Sequence, residues 1–477
     1  MSRNAIHLGV TGLRRTGKTV FLTSLIYQLR ERGSRELAAF GSRSIELLPA
    51  KFGSTTGCGK FPFDTYVADL RIEPPTWPQP TETEYHAKLV IPFRENNARS
   101  TYRFLPRKVR NRLRTRNGTI ELCIHDYPGE FLLDVELGHM PFELWSRTTG
   151  QRMHEQCPHE AERYERVMRE IEGGVHADTE SSLSLLRTAY ADYVAAAHAN
   201  HFEMIQPGMA LLPWTRNLPS KRGSVDPGRN ILPFVPIPES AATTGGVEEL
   251  RRSLREAYAR YVENDVKQFI RALDEIRIQV VLVDVLRILS NGLACYNDTL
   301  RCLESTLTAY QYAGKWFGRR IRRVVFVATK ADHALNGHRP NMARLLETLV
   351  EKARGRIGGG LSPRYRWVAS LRATEDAVER RNGRPQEVLR GRLVDEAEHS
   401  VWNPGSVPSE WPDRFIPPTT EPWTMGNEFY QFPRFAPPRF PARDGAPVPH
   451  LNLDELLWDI LESCFSYQAR GVNDAST

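Results

Sequence analysis

Short apolar runs of strand length alternate along this chain with longer stretches of helical periodicity. Residues 6–10 form the first run, and a glycine-flanked loop separates it from residues 20–29, whose apolar positions recur at helical spacing. Residues 85–93 and 119–125 predict two further strands, the second becoming apolar as it approaches Asp126. From 151 to about 277 the pattern changes to charged, Ala-rich helices, including 182–202 and 247–273, interrupted by a loop at 207–239. Strand-like runs resume at 279–285, 324–328 and 367–370 with helical patterns between them, the alternation of a parallel sheet. Residues 403–450 are crowded with Pro, Trp and Phe, a composition that suits irregular chain packed on a domain at least as well as a free tail. Asn452 or Asp454 then caps a last amphipathic helix reaching about residue 467.

The predicted fold is α/β, a domain with a mostly parallel central sheet and an inserted helical domain. Its first part is 1–150, the helical insertion 151–277, the second part 278–400, and a Pro- and aromatic-rich segment with a C-terminal helix fills 401–477. Such a division suits 477 residues, more than one core usually serves. With 40% hydrophobic and 25% charged residues the chain reads as globular rather than disordered. No apolar run reaches the roughly 18–20 residues that a membrane span needs. The N-terminus leaves no room for a secretory leader, so a cytosolic protein is expected. Six scattered cysteines without a C-x-x-C pattern read as thiols, and no disulfide is expected.

Gly12-Leu13-Arg14-Arg15-Thr16-Gly17-Lys18-Thr19 meets the full phosphate-loop pattern after a strand and before a helix, which makes the expected α/β domain a P-loop NTPase domain. Glycines let backbone amides curl around a phosphate, Lys18 bridges β- and γ-oxygens, and the Thr19 hydroxyl faces Mg²⁺. Arg14, Arg15, Thr16 and Val20 complete the set expected to touch nucleotide. A second glycine-rich stretch, 53–60, fails the pattern and reads as a loop. Asp126-Tyr127-Pro128-Gly129 closes its strand as D-x-x-G, placing Asp126 by Mg²⁺ and the Gly129 amide by the γ-phosphate. Thr81, or Thr83, is the candidate switch threonine on the metal. Thr329-Lys330-Ala331-Asp332 takes the form of a guanine-reading loop, with Thr in place of Asn. There Asp332 can accept from guanine N1 and N2 together, which adenine cannot offer. Ser370 and Leu371 fall where a last strand brings a backbone amide to guanine O6. The expected ligands are therefore GTP or GDP with Mg²⁺. Glu130 stands where many small GTPases carry a water-orienting glutamine, so hydrolysis is expected to be slow unless a cation is supplied. An ATPase of the same fold and a nucleotide-bound scaffold without turnover are the alternatives.

These motifs, with 126–134 (DYPGEFLLD), 281–286 (VLVDVL), Gln206-Pro207-Gly208, Leu211-Leu212-Pro213 and Arg372-Ala373-Thr374-Glu375, resemble the YcjX-like family of P-loop proteins in the family's order over most of the chain. The resemblance implies a GTP- and GDP-binding domain with a helical insertion. It also implies a bacterial cytosolic protein linked to envelope or phage-shock-type stress, with the inner-membrane surface and a membrane-associated stress protein as one choice of place and effector. Phe131 departs from the family's Trp, and the length of 403–450 departs as well. Two other clusters are plainer. His154, Cys157 and His159 fit no common zinc spacing. The run Arg107, Lys108, Arg110, Arg112, Arg114, Arg116 is a surface for acidic lipid, RNA or protein, although a solvated face is the commoner fate of such runs. The net charge of +7 names no partner by itself.

Overall fold

Strand pairing in the computed structural model is built outward from one central strand. Residues 5–31, 35–40, 43–53, 59–78, 84–97, 115–174, 178–215, 232–238, 241, 245–316, 321–357, 362–381, 384–394, 396, 398–412, 433–441 and 446–466 are described. In chain order the strands are β1 (Ala5–Gly12), β2 (Arg35–Phe40), β3 (Arg43–Leu47), β4 (Lys51–Gly53), β5 (Gly59–Lys60), β6 (Tyr85–Asn97), β7 (Thr115–Asp126), β8 (Ile278–Val283), β9 (Arg323–Ala328), β10 (Arg364–Trp367), β11 (Thr374–Arg381), β12 (Arg384–Arg392) and β13 (His399–Trp402). The main sheet runs β10-β9-β8-β1-β7-β6-β3-β2, with β4 and β5 also on β6. β10, β9, β8, β1 and β7 are mutually parallel. β6 and β3 then extend the sheet as antiparallel neighbours.

The period of two decides what each face meets. Leu8, Val10, Leu122, Ile124, Val280, Leu282, Val325 and Val327 pack under helices α1 (Lys18–Arg30) and α2 (Phe63–Arg71) and under the last helix, Leu453–Ser466. Val281, Val283, Val324 and Phe326 point the other way, into a cluster with Trp145, Tyr164, Tyr190 and Tyr258 from the helical array and Phe234 from the 232–238 segment. β8 is buried at every position, as a strand covered on both faces must be.

The helices of that array are Phe142–Gln156, Pro158–Glu172, Thr179–Ala199, Gly208–Thr215, Gly245–Tyr261 and Lys267–Leu273, the last two joined by a π turn at Val262–Val266. The array begins before the boundary expected at 150, because Phe142, Trp145 and Thr149 form the buried side of a helix that runs through that boundary. Within 207–239, read as loop, Gly208–Thr215 is helical and Phe234, Val235 and Ile237 are buried. Val285, expected at a strand end, instead opens the helix Val285–Trp316, which breaks at Gly292 (φ 77°). The strand expected at 367–370 ends at Trp367. In the stretch read as loop at 53–60, Gly53 ends β4, and Gly59 with Lys60 forms β5. A separate three-stranded antiparallel sheet, β11-β12-β13, was not foreseen, and β13 crosses the division at 400. The four cysteines whose side chains are described are free. Among the described residues no helix is long and apolar enough to cross a membrane.

Candidate functional site

β1 delivers the chain to the phosphate loop and α1 receives it at Lys18. Gly17 takes a left-handed conformation (φ 84°) that an L side chain adopts only with strain, and this turns the chain into the helix. No side chain caps α1 and no acid sits in its first turn, so its leading amides and partial positive charge are left to the loop. The Thr16 hydroxyl donates to the Leu13 carbonyl at 2.8 Å, closing the loop.

Parallel pairing sets Val10 beside Asp126 at the end of β7. There the Lys18 ammonium forms an ion pair with Asp126 Oδ1, the two residues 8% and 2% exposed. Gly129 presses against the loop, for a Cβ on it would lie 2.8 Å from both C and O of Gly12 and 3.0 Å from Leu13 N. Those neighbours are backbone and cannot swing away. Gly129→Ala is therefore expected to cost about 1–3 kcal/mol of stability and to weaken nucleotide binding, read by denaturant unfolding and GDP titration. Unchanged values in both would remove the contact from the site.

Glu84, which sequence reasoning missed, reaches the same corner because β6 places Tyr85 opposite Asp126. Burial raises its carboxyl, the Asp126 charge raises it further, and Lys18 opposes them. Thr19, Asp126 and Glu84 supply the hard oxygen donors that Mg²⁺ takes, and the uncapped helix suits phosphate, so the residues present fit both groups. Thr81 and Thr83 lie outside the described residues.

A second charged cluster lies behind the loop. Arg287 donates to the carbonyls of Arg14 (3.2 Å) and His201 (2.7 Å) and pairs with Glu203 at 2.6 Å. Burial pushes the Glu203 carboxyl up to about 7 against the pull of Arg287, with Glu130 adding to the rise. Glu130 itself is buried at the head of the short helix Glu130–Leu133. Burial and then the neighbouring Arg14 and Arg287 lower the Arg15 guanidinium. His198 is brought to about 3, first by burial and then by Arg14, with Arg287 and Arg15 adding smaller effects. Its folded pKa lies below the ordinary 6.5, so folding holds the ring neutral. That contribution is complete above pH 6.5 and is lost as the pH falls towards 3. Between pH 7 and 5 it should amount to about 2 kcal/mol, visible as a smaller acid-induced drop in the urea midpoint for His198→Gln than for the wild type.

The loop Thr329–Asp332 follows β9. Lys330 has φ 60° and its ammonium meets Asp284 Oδ2 at 2.5 Å, while Asp284 Oδ1 accepts the Arg287 amide at 3.0 Å. The Asp332 carboxylate is 2% exposed and accepts the Ala373 amide at 2.8 Å, with His333 Nδ1 at 3.3 Å. Burial pushes this acid up, but His333 and the Ala373 amide outweigh it and hold it below its ordinary range. Ala331 donates to the Val368 carbonyl at 3.1 Å, and Ser24 Oγ donates to the Ser370 carbonyl. These contacts tie α1, the 329–332 loop and Ser370 together, with Leu371 buried in the α1 cluster. The chain at 433–441 comes in beside them. Phe435 meets His333 edge-on (5.1 Å), its carbonyl accepts Trp77 Nε1 at 2.8 Å, and Phe440 donates to Leu70 O at 3.0 Å.

The other sequence clusters are not assembled. His154 pairs with Glu165, Cys157 accepts from Asn200, and His159 lies exposed beside Glu160. Arg107, Lys108, Arg110, Arg112 and Arg114 lie outside the described residues.

A mostly parallel sheet whose central strand feeds an uncapped helix through a glycine-bounded loop, with a D-x-x-G segment packed on that loop, is an α/β architecture consistent with a P-loop GTPase-like fold. Residues 6–464 match the YcjX-like family, DUF463. The chain belongs to that family. Among its relatives, Ras-like GTPase YcjX of Escherichia coli (strain K12) is 30% identical over 475 residues, covering 95% of this chain and 94% of that protein. Ras-like GTPase YcjX of Shewanella oneidensis is 27% identical over 489 residues, covering 95% and 93%.

Proposed function

We propose that this chain binds GTP and GDP with Mg²⁺, hydrolyses GTP slowly, and uses the nucleotide state to move its helical array. The names of two of its relatives favour a GTPase, and the observation that carries the reading is the buried Lys18–Asp126 pair beneath an uncapped helix. Without nucleotide, Asp126 serves as the anion for Lys18. With nucleotide bound, Lys18 would turn its ammonium to the phosphates, and Asp126 would be left to hold the metal. Bound Mg²⁺ supplies charge neutralisation and Lewis acidity at the phosphates. Glu130 lies close enough to raise the Glu203 carboxyl, so it adds negative charge near the site instead of a cation. Slow turnover follows from that.

The helices act as an inserted domain coupled to the switch through Asp134, which accepts from Gly208 N and Met209 N (2.8 Å each) and from the Tyr261 hydroxyl (2.6 Å). Gln206 Nε2 also donates to the Leu133 carbonyl, and a Cβ on Gly208 would lie 2.5 Å from Glu130 O. Movement of Gly129 is thus passed to the 206–209 segment by hydrogen bonds and direct packing. A role in envelope or phage-shock-type stress rests on family resemblance alone.

Binding of labelled GDP and ADP with and without Mg²⁺ tests nucleotide, base and metal together. Preferential, Mg²⁺-strengthened GDP binding is expected, and equal competition by ADP would overturn the guanine reading. Hydrogen exchange with GDP and with a non-hydrolysable GTP analogue tests the coupling, which fails if protection from 131 to 273 is the same in both complexes.

A further inference from the structure

We propose that His7, His125 and Glu275 form a second metal site, for a zinc-type divalent ion, on the sheet face opposite α1. The pleat places them there. Ile6, Leu8 and Val10 of β1 and Leu122 and Ile124 of β7 point into the α1 cluster, so His7 and His125 project from the other face. His86 stands directly opposite His125 in the β6–β7 register, with the two ring centres 4.6 Å apart. Glu275 arrives from the turn between the helical array and β8, a turn fixed where Arg277 N donates to the His7 carbonyl at 2.9 Å. Among the described residues, the ligand atoms of His7, His125 and Glu275 are the three that converge, all within 4.8 Å of one another.

His7 Nδ1 and His125 Nε2 are 3.0 Å apart. Such a contact requires a lone pair on at least one nitrogen, and two nitrogens on one tetrahedral zinc sit about 3.4 Å apart. An ion therefore needs only a small opening of the pair. A hydrogen bond between two histidines explains their contact but not the arrival of the Glu275 carboxylate at the same place. Two imidazoles and one carboxylate form a donor set that zinc takes with one position left open, whereas Mg²⁺ and Ca²⁺ prefer oxygen alone. His125 is the sequence neighbour of Asp126, yet their side chains leave β7 on opposite faces, Asp126 towards Lys18. The ion is thus distinct from the phosphate-loop metal. It links the end of the helical array to β1 and β7 and stabilises that junction.

Full-length protein stripped with a chelator and titrated with Zn²⁺ alone should take up one equivalent, resist excess Mg²⁺, and show a raised Tm. Co²⁺ should give the visible bands of a four-coordinate site. His7→Gln and His125→Gln are expected to weaken Zn²⁺ binding about a hundredfold. Glu275→Gln, at an exposed position that cannot compromise the fold, should weaken it about tenfold. No uptake by the stripped wild type, or equal affinity in Glu275→Gln and wild type, would overturn the site.

Discussion

Lys18→Ala should abolish nucleotide binding and also lower the stability of the nucleotide-free protein by about 3–5 kcal/mol. The second effect follows from burial, because Asp126 is 2% exposed and loses its ammonium. The first follows from the loop, where Lys18 is the ammonium that opens α1. The two effects separate in the double variant Lys18→Ala/Asp126→Ala, which removes both charges. It should recover much of the stability and none of the affinity. Urea unfolding and GDP titration of the three proteins read both quantities. Wild-type GDP affinity in Lys18→Ala would remove the phosphate-loop assignment altogether.

Asp332→Asn should reduce GDP affinity by about 10²- to 10⁴-fold, the equivalent of losing two hydrogen bonds to a charged group at about 1.5–3 kcal/mol each. Xanthine diphosphate should gain, since the new amide can donate to the 2-oxo group where the carboxylate could only accept. The Ala373 amide constrains the outcome. It already donates to one Asp332 oxygen, and the Asn carbonyl can keep that bond while its NH₂ turns towards the base. The variant should therefore remain folded, and a changed GDP-to-XDP ratio would report base reading alone. An unchanged ratio would mean that Asp332 serves only to hold the 373–374 turn, whose Thr374 hydroxyl donates to the Asp332 carbonyl.

The loop 12–17 between β1 and α1 and the turn 126–129 were legible in the sequence because each is a local pattern, complete within a few residues and bracketed by a strand. The central strands β1, β8 and β9 were legible for a related reason, since strands buried on both faces read as continuous apolar runs, whereas β10 (Arg364–Trp367) is half-exposed and shows no such run. Glu84, Glu203, Arg287 and His198 were not legible. Nothing in spacing joins residue 203 to residue 287, and they meet only because β8 lies beside β1 and the following helix starts against the loop. β11 and β12 escaped notice because they carry charges along most of their length, as in Thr374–Arg381 (TEDAVERR), and show little alternation. The 433–441 segment showed its packing through Phe435 and Phe440, both buried, while its place beside His333 and Trp77 is a matter of tertiary contact. The histidine cluster is the extreme case, with His7, His86, His125 and Glu275 drawn from four distant stretches by strand register.

The pairing of β1 with β8 sets a limit on the order of events during synthesis. Leu8 to Gly12 have their partners at Ile278 to Leu282, so β1 waits for the whole helical array to be made before its second edge is filled. The α1 side of the sheet is finished later still, when Leu451 bonds to Ala369 and the last helix covers α1. A nascent chain that lacks Leu451–Ser466 therefore still leaves α1 uncovered. A ligand held by the loop between β1 and α1 can reward folding only once these late segments have been made.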